Sequence, residues 1–180
     1  NAINLTGIGA NAGVPNVTRA PSMAGMFDGA TSFNADLKDW NVSLVTDTSS
    51  MFKGATSFTS DLSAWNVSSV TNMNSMFKDA TSFKSNLTQW KPKNVTNMDA
   101  LFSGAMSFTG NDLFGWSVSK VVTHIDFANG WGLHNVEPNW DGLVRIDISN
   151  AFKVAVEGSS FAFLNDHRVA GLIYSYSVDC

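Results

Sequence analysis

The side chains best suited to chemistry are few in this sequence, and their spacing does not organise them. Three histidines, His124, His134 and His167, fall in the last third, and the only cysteine, Cys180, ends the chain. Asp126 stands two residues from His124, a pairing that arises easily by coincidence. No HExxH, GxSxG or GxGxxG occurs, so helix-borne zinc ligands, a nucleophile elbow and a dinucleotide cradle have no candidates. A lone cysteine excludes an internal disulfide framework and a cysteine-rich zinc site. The sequence predicts no enzyme, no metal and no cofactor.

Oxygen and amide groups recur more regularly. Asp36 and Asp61 are 25 residues apart, and Asn86 with Asn111 or Asp112 continues the series. Stacked roughly 5 Å apart, as neighbouring strands are, two carboxylates could share a Ca²⁺ with hydroxyl or carbonyl help. No DxDxDG loop accompanies them, so solvated strand-edge charges are the better reading. Thr31, Thr56 and Thr81 make a similar column, of the kind found on ice-binding surfaces, but it breaks at Met106. Each stands singly beside a Phe, and a turn satisfied by hydroxyls explains them better. N-x-S/T sequons lie at Asn4, Asn16, Asn41, Asn66, Asn86 and Asn94. Asn16, Asn41 and Asn66 repeat one position and read as a ladder satisfying turn groups. Asn4, Asn86 and Asn94 are the glycan-acceptor candidates.

The fixed offsets come from a repeat of 25 residues. Met26-Phe27, Met51-Phe52, Met76-Phe77 and Leu101-Phe102 recur at that step, as do Phe33, Phe58, Phe83 and Phe108. Trp40, Trp65 and Trp90 keep it, with Leu37, Leu62 and Leu87 and with Val45, Val70 and Val95. Leu133 to Trp140 and Trp140 to Phe152 preserve the internal distances of 7 and 12 residues, so Leu133–Glu157 reads as a degraded copy. Phe108 to Trp116 is one residue long and Trp116 to Phe127 one short. That predicts a bulge near Gly110-Asn111-Asp112 whose effect is cancelled by Phe127. A divergent opening copy starts near Ile8.

Within one copy, Phe58, Ser60 and Leu62 alternate and predict a short strand. Val70, Met73 and Met76-Phe77 follow helical spacing, with Ser68, Ser69 or Thr71 as caps. The helical turn should end at the column of Gly29, Gly54, Asp79 and Gly104, residues that tolerate a left-handed backbone. One such copy cannot bury its apolar face alone, but a stack can.

The pattern MFxGATSFxxDLSxWNVSxVTxM resembles the BspA-like leucine-rich repeat family, most closely over residues 26–106 and more weakly out to about 8 and 157. The resemblance implies a leucine-rich-repeat-like solenoid, commonly on secreted or surface proteins, with adhesion or binding as its role. The prediction is an α/β repeat solenoid, a right-handed stack of about six coils. Residues 1–25 would form an N-terminal cap and divergent first coil, 26–132 the regular repeats, and 133–180 a degenerate repeat and C-terminal cap.

Composition bounds the partners. Charged residues are only 14% and the net charge is −4, so no basic stripe exists to grip a nucleic acid. No apolar run reaches the roughly 18 to 20 residues of a membrane span. Ser, Thr and Asn make up 53 of the 180 residues, while 13 Phe and 6 Trp argue for an ordered core. The opening Asn1-Ala2-Ile3 without Met reads as a processed chain or an excerpt. Trp131, Trp140, Arg145, Phe161, Arg168 and Tyr174 are the candidate contact residues for a protein partner or glycan, in the segment from Asn129 to Tyr176. The competing reading is that its aromatics seal the core end. The expected role is a secreted or cell-surface adhesion module. The alternative is a scaffold or linker subunit of a large assembly, for instance in an algal organelle lumen or a photosynthetic complex.

Overall fold

The computed structural model describes residues 21–109, 113–130 and 137–140. All of them belong to the first of two compact units, Asn1–Leu143; the second, Val144–Cys180, lies outside the described residues. The boundary falls inside the stretch Leu133–Glu157.

Successive copies are joined by backbone hydrogen bonds that follow a strict alternation. The amides of Met23, Gly25, Phe27 and Gly29 donate to the carbonyls of Asp47, Ser49, Met51 and Lys53 in the next copy, at 2.7–2.9 Å. The amides between them stay local: Met26, Asp28 and Ala30 donate to the carbonyls of Met23, Gly25 and Phe27. The same exchange joins Thr48–Gly54 to Asn72–Lys78 and, farther on, Gly104 to Asn129. Parallel single-residue bridges mark the seam, running Ser22, Asp47, Asn72, Asn97, Thr123.

This alternation replaces both expected elements. No α-helix and no strand longer than a bridge occurs among the described residues. A helix needs each amide bonded to the carbonyl four residues back, and here every second amide leaves for the neighbouring copy. The three-residue spacing reflects a chain of turns instead: Val70 donates to Val67, Met76 to Met73, Ala80 to Phe77, and Phe83 to Ala80. The bridge cannot lengthen because its side chain closes a turn at once. Asp47, Asn72 and Asn97 accept from the amides of Ser49, Asn74 and Asp99 at 2.8–3.0 Å. At Phe58–Leu62 the alternation does set Phe58 and Leu62 inward. No ladder forms there, because a serine hydroxyl takes the place of the paired strand. Leu37 N–H donates to Ser60 Oγ, and Leu62 N–H to Ser85 Oγ.

Two positions per copy carry the left-handed backbone. One is the expected column, Gly29, Gly54, Asp79, Gly104 and then Gly130, with φ from 58 to 84°. The other is Gly25, Ser50, Ser75, Ala100 and Asp126, at 50 to 63°. At Gly104 a φ of 73° favours glycine, and a Cβ there would push aside the Asp79 carboxylate.

The core is a grid of aromatic rings. Within each copy two Phe rings stack, Phe27 on Phe33, Phe52 on Phe58, Phe77 on Phe83 and Phe102 on Phe108, at 3.9–4.2 Å between centroids. Between copies, Phe27, Phe52, Phe77 and Phe102 follow one another at 5.4–5.6 Å, near-parallel. Tryptophans flank the grid, and the indole N–H groups of Trp65, Trp90 and Trp116 reach back one copy. Trp65 donates to the carbonyl of Leu37, Trp90 to that of Leu62 and Trp116 to that of Leu87, all at 2.9 Å. A buried indole N–H needs such a partner, which fixes the ring's depth as well as its face.

The compensation expected at Phe127 does not occur. Thr96 to Val122 and Gly104 to Gly130 span 26 residues in the backbone pairing. Phe77 N–H donates to the Leu101 carbonyl, whereas Phe102 N–H donates to that of Phe127. Phe127 therefore sits in the column of Met51, Met76 and Leu101, and Ala128 takes the Phe slot. Phe127 meets Phe102 edge-on, at 5.4 Å and 85°, where the earlier copies meet face to face.

Two stability outcomes follow. Phe77 is fully buried and contacts rings in three directions. Phe77→Ala should cost about 3 to 5 kcal/mol in chemical denaturation, and a loss below about 1 kcal/mol would contradict the grid. Ala100 holds a left-handed φ of 50° with a Cβ. Ala100→Gly should stabilise by about 1 kcal/mol through relief of that strain.

Candidate interaction surface

Outside the core, most polar side chains are occupied with the backbone. Thr46, Thr71 and Thr96 each donate both N–H and Oγ1–H to one carbonyl in the preceding copy, that of Pro21, Thr46 and Thr71 respectively. Thr56 and Thr81 do the same with their hydroxyls toward Thr31 and Thr56, at 3.2 and 3.5 Å. These hydroxyls tie neighbouring copies together, 25 residues apart, and do not close the local turn expected of that column.

The carboxylate column is engaged with the backbone as well. Asp36, Asp61 and Asn86 accept from the amides of Lys38, Ser63 and Thr88 at 2.9–3.0 Å. Asp36 also pairs with Lys38 at 3.2 Å, and Asp61 accepts from Ser85 Oγ at 3.0 Å. The Ser63 amide above all holds the Asp61 carboxyl below its ordinary value, and the Lys38 amide does so for Asp36. No group of three or more His, Cys, Asp or Glu among the described residues is placed to hold a metal ion.

Of the sequons, Asn41 and Asn66 accept from Ser43 and Ser68 N–H, so each closes a turn in its own copy. Asn86 is exposed, and among the described residues its side chain bonds through Oδ1 alone. Asn94 differs: its Nδ2 donates to the Ser68 carbonyl at 2.8 Å and its Oδ1 accepts from Lys120 at 2.7 Å. Asn4 and Asn16 lie outside the described residues.

The regular pattern breaks on the last described copy. Val122 stands where Thr46, Thr71 and Thr96 precede it, and Ile125 where Ser49, Asn74 and Asp99 do. Val122 is 83% and Ile125 70% exposed. The Asp99 carboxylate fixes this segment, accepting at one oxygen from Thr123 Oγ1 at 2.6 Å and from the Ile125 amide at 2.7 Å. Beside it, the His124 ring stacks on Trp140 at 4.1 Å and 4°, and Trp140 meets Phe127 edge-on at 5.0 Å. The Trp140 indole N–H donates to Glu137 Oε2 at 3.0 Å, not to a carbonyl in the preceding copy.

Of the six residues expected to bind a partner, Trp140 is the one described, and it is half-buried against the core. Trp131, Arg145, Phe161, Arg168 and Tyr174 lie outside the described residues, as do His134, His167 and Cys180. Val122 and Ile125 were not foreseen, because an assumed step of 25 misaligns them. With the one-residue insertion carried through to Gly130, both appear as apolar replacements in polar columns. Among the described residues no helix is long and apolar enough to cross a membrane.

The geometry defines a tandem-repeat protein in which each copy completes the hydrogen bonding of its neighbour. The chain belongs to the family described as "Mycoplasma protein of unknown function, DUF285", whose model matches residues 14–140. No curated protein and no solved structure matches it.

A pH test isolates the carboxylate column. Asp61 has a folded pKa below its ordinary 3.8, so its contribution to stability is present above that value and is lost as pH falls through the folded pKa. Asp61→Asn keeps the turn, as Asn86 does, and removes the titration. The stability gap between wild type and Asp61→Asn should therefore change below about pH 4 and stay constant from about pH 5 to 7, read by urea denaturation. A gap independent of pH would exclude the assignment.

Proposed function

We propose that the chain is a non-catalytic protein-interaction module of the BspA-like type, a right-handed repeat solenoid displayed on a secreted or cell-surface protein. The observation that carries this reading is the pair Val122 and Ile125, large, apolar and exposed where earlier copies present Thr, Ser, Asn or Asp. Apolar side chains held out by a buttressing carboxylate suit a protein ligand, since desolvating them on contact contributes about 25 cal/mol per Å². The regular copies also expose Leu44 and Met106, but most of their Thr, Ser and Asn side chains bond to the backbone and offer few anchors of the kind that dominate binding energy.

The test returns the last copy to the repeat. Val122→Thr with Ile125→Asn should leave urea stability within about 0.5 kcal/mol, as surface changes do. Binding of the labelled chain to immobilised surface and matrix proteins should fall at least about tenfold, the equivalent of 1.4 kcal/mol. Undiminished binding by the double variant would move the contact elsewhere. A chain that binds none of these proteins, but co-purifies at fixed stoichiometry with a multisubunit complex, would favour a scaffold role.

A further inference from the structure

Each copy turns a corner just before the seam, and the outward side chains of that corner change along the stack. Val45, Val70, Val95 and Val121 donate to the carbonyls of Val42, Val67, Pro92 and Val118, at 2.9–3.2 Å. In the early corners the outward positions serve the fold. Asn41 and Asn66 accept from the amides of Ser43 and Ser68, and Ser69 Oγ reaches back to the Ser43 carbonyl at 2.6 Å. Lysines then enter these columns: Lys91 stands where Asn41 and Asn66 do, Lys93 where Ser43 and Ser68 do, and Lys120 where Ser69 and Asn94 do. The Lys93 amide donates to the Lys91 backbone carbonyl at 2.8 Å, so the turn closes without a side chain from Lys91. All three lysines are exposed, and Asn94 Oδ1 holds Lys120 Nζ at 2.7 Å against the preceding corner. Adjacent corners lie about 5 Å apart, the spacing of hydrogen-bonded chains. Residues 84–98 hold Lys84, Lys91 and Lys93 with no Asp or Glu, and 113–125 hold Lys120 with none. The same stretch of two earlier copies, 34–48 and 59–73, holds four aspartates and one lysine.

This corner adjoins the exposed apolar pair. Lys120 and Val122 flank Val121, which packs against the core, so both face outward on the same side, and Ile125 follows. We propose that Val122 and Ile125, with Lys91, Lys93 and Lys120 beside them, take an acidic protein segment, its apolar side chains against the pair and its Asp or Glu carboxylates against the ammoniums. The proposal rests on the reading of Val122 and Ile125 as a protein contact and names the chemistry of the partner. Like charges brought this close repel one another, and carboxylates relieve that repulsion. Asp99, the next carboxylate along the chain from Lys93, is bonded to Thr123 and to the Ile125 amide. A bare polyanion fits less well, since a sulfated polysaccharide or a nucleic acid would set charged groups against Val122 and Ile125. Lysines are hydrated point charges on flexible stems, which receive carboxylates in several geometries and speed encounter more than they fix register. Register comes from the apolar pair.

Selection of random phage-displayed peptides on the immobilised full chain tests this, with two variants that restore the repeat's own residues. One is Lys91→Asn with Lys93→Ser and Lys120→Ser; the other is Val122→Thr with Ile125→Asn. Wild type should enrich peptides in which Asp or Glu lies beside Leu, Ile or Phe, with acids at about twice their starting frequency or more. The lysine variant should lose the acidic enrichment and keep the apolar one, and the apolar variant should do the reverse. Affinity of the best wild-type peptide, read by fluorescence anisotropy, should fall about fivefold between about 50 and 200 mM salt. Wild-type peptides without an acidic excess, or the same peptides selected by the lysine variant, overturn the proposal and leave the apolar contact standing. Unchanged selection by the apolar variant overturns the reading of Val122 and Ile125, and this proposal with it. A chain that selects no acidic peptide but is retained on immobilised heparin also overturns it, in favour of a polysaccharide. The wild-type selection and its salt dependence need no variant, and they decide if a variant unfolds.

Discussion

Everything described here depends on alternate amides leaving the copy that carries them. Along residues 23–30, one N–H closes a local turn and the next crosses to the following copy. A backbone that does this must bend back every few residues, which is why two left-handed positions recur in each copy. At Ser50, Ser75, Asp79, Ala100 and Asp126 that bend costs about 1 to 2 kcal/mol each, since these residues carry a Cβ. Four hydrogen bonds per joint, and aromatic rings held face to face, offset it. No copy could meet that cost alone, so cooperativity between neighbours is built into the backbone.

The unusual composition follows from the same constraint. A chain made of turns has many amides and carbonyls that no regular element satisfies. Ser, Thr, Asn and Asp are the side chains short enough to reach them locally. Asp47, Asn72 and Asn97 close one turn per copy, Asp36, Asp61 and Asn86 another, and Asn41 and Asn66 a third. Asp and Asn interchange within these columns because each needs only one side-chain oxygen. The sequons and carboxylate columns that look like sites are largely by-products of turn closure.

This explains what could and could not be read from the residues in order. The columns of Phe, Trp, Met and Leu were legible because burial demands one residue type at one period. The glycine column was legible because a left-handed backbone favours glycine at one period. The elements were not, because successive three-residue turns and a helix place side chains inward at nearly the same spacing. The second left-handed column was hidden, since Ser50, Ser75 and Ala100 do not advertise the conformation as glycine does. The slip at Phe127 was hidden because a large apolar residue suits either the Met column or the Phe column. Only the backbone pairing of Phe102 with Phe127 distinguishes them.

That slip is also what makes the last copy different. With Phe127 moved into the Met column, Ala128 takes the Phe slot of the last described copy, and Phe127 meets Phe102 edge-on instead of face to face. Trp140 lies edge-on to Phe127 and flat on His124, and its indole N–H turns to Glu137. The same displacement brings Val122 and Ile125 into columns that are otherwise hydroxyl, amide or carboxylate. Asp99 holds that segment in place from the copy before. One inserted residue thus changes which side chains a conserved backbone presents, while Gly104 to Gly130 and the bridge from Asn97 to Thr123 keep the joint intact. In a repeat whose regular faces are occupied with their own backbone, a register shift of this kind is a direct route to a distinct surface at little cost to the stack.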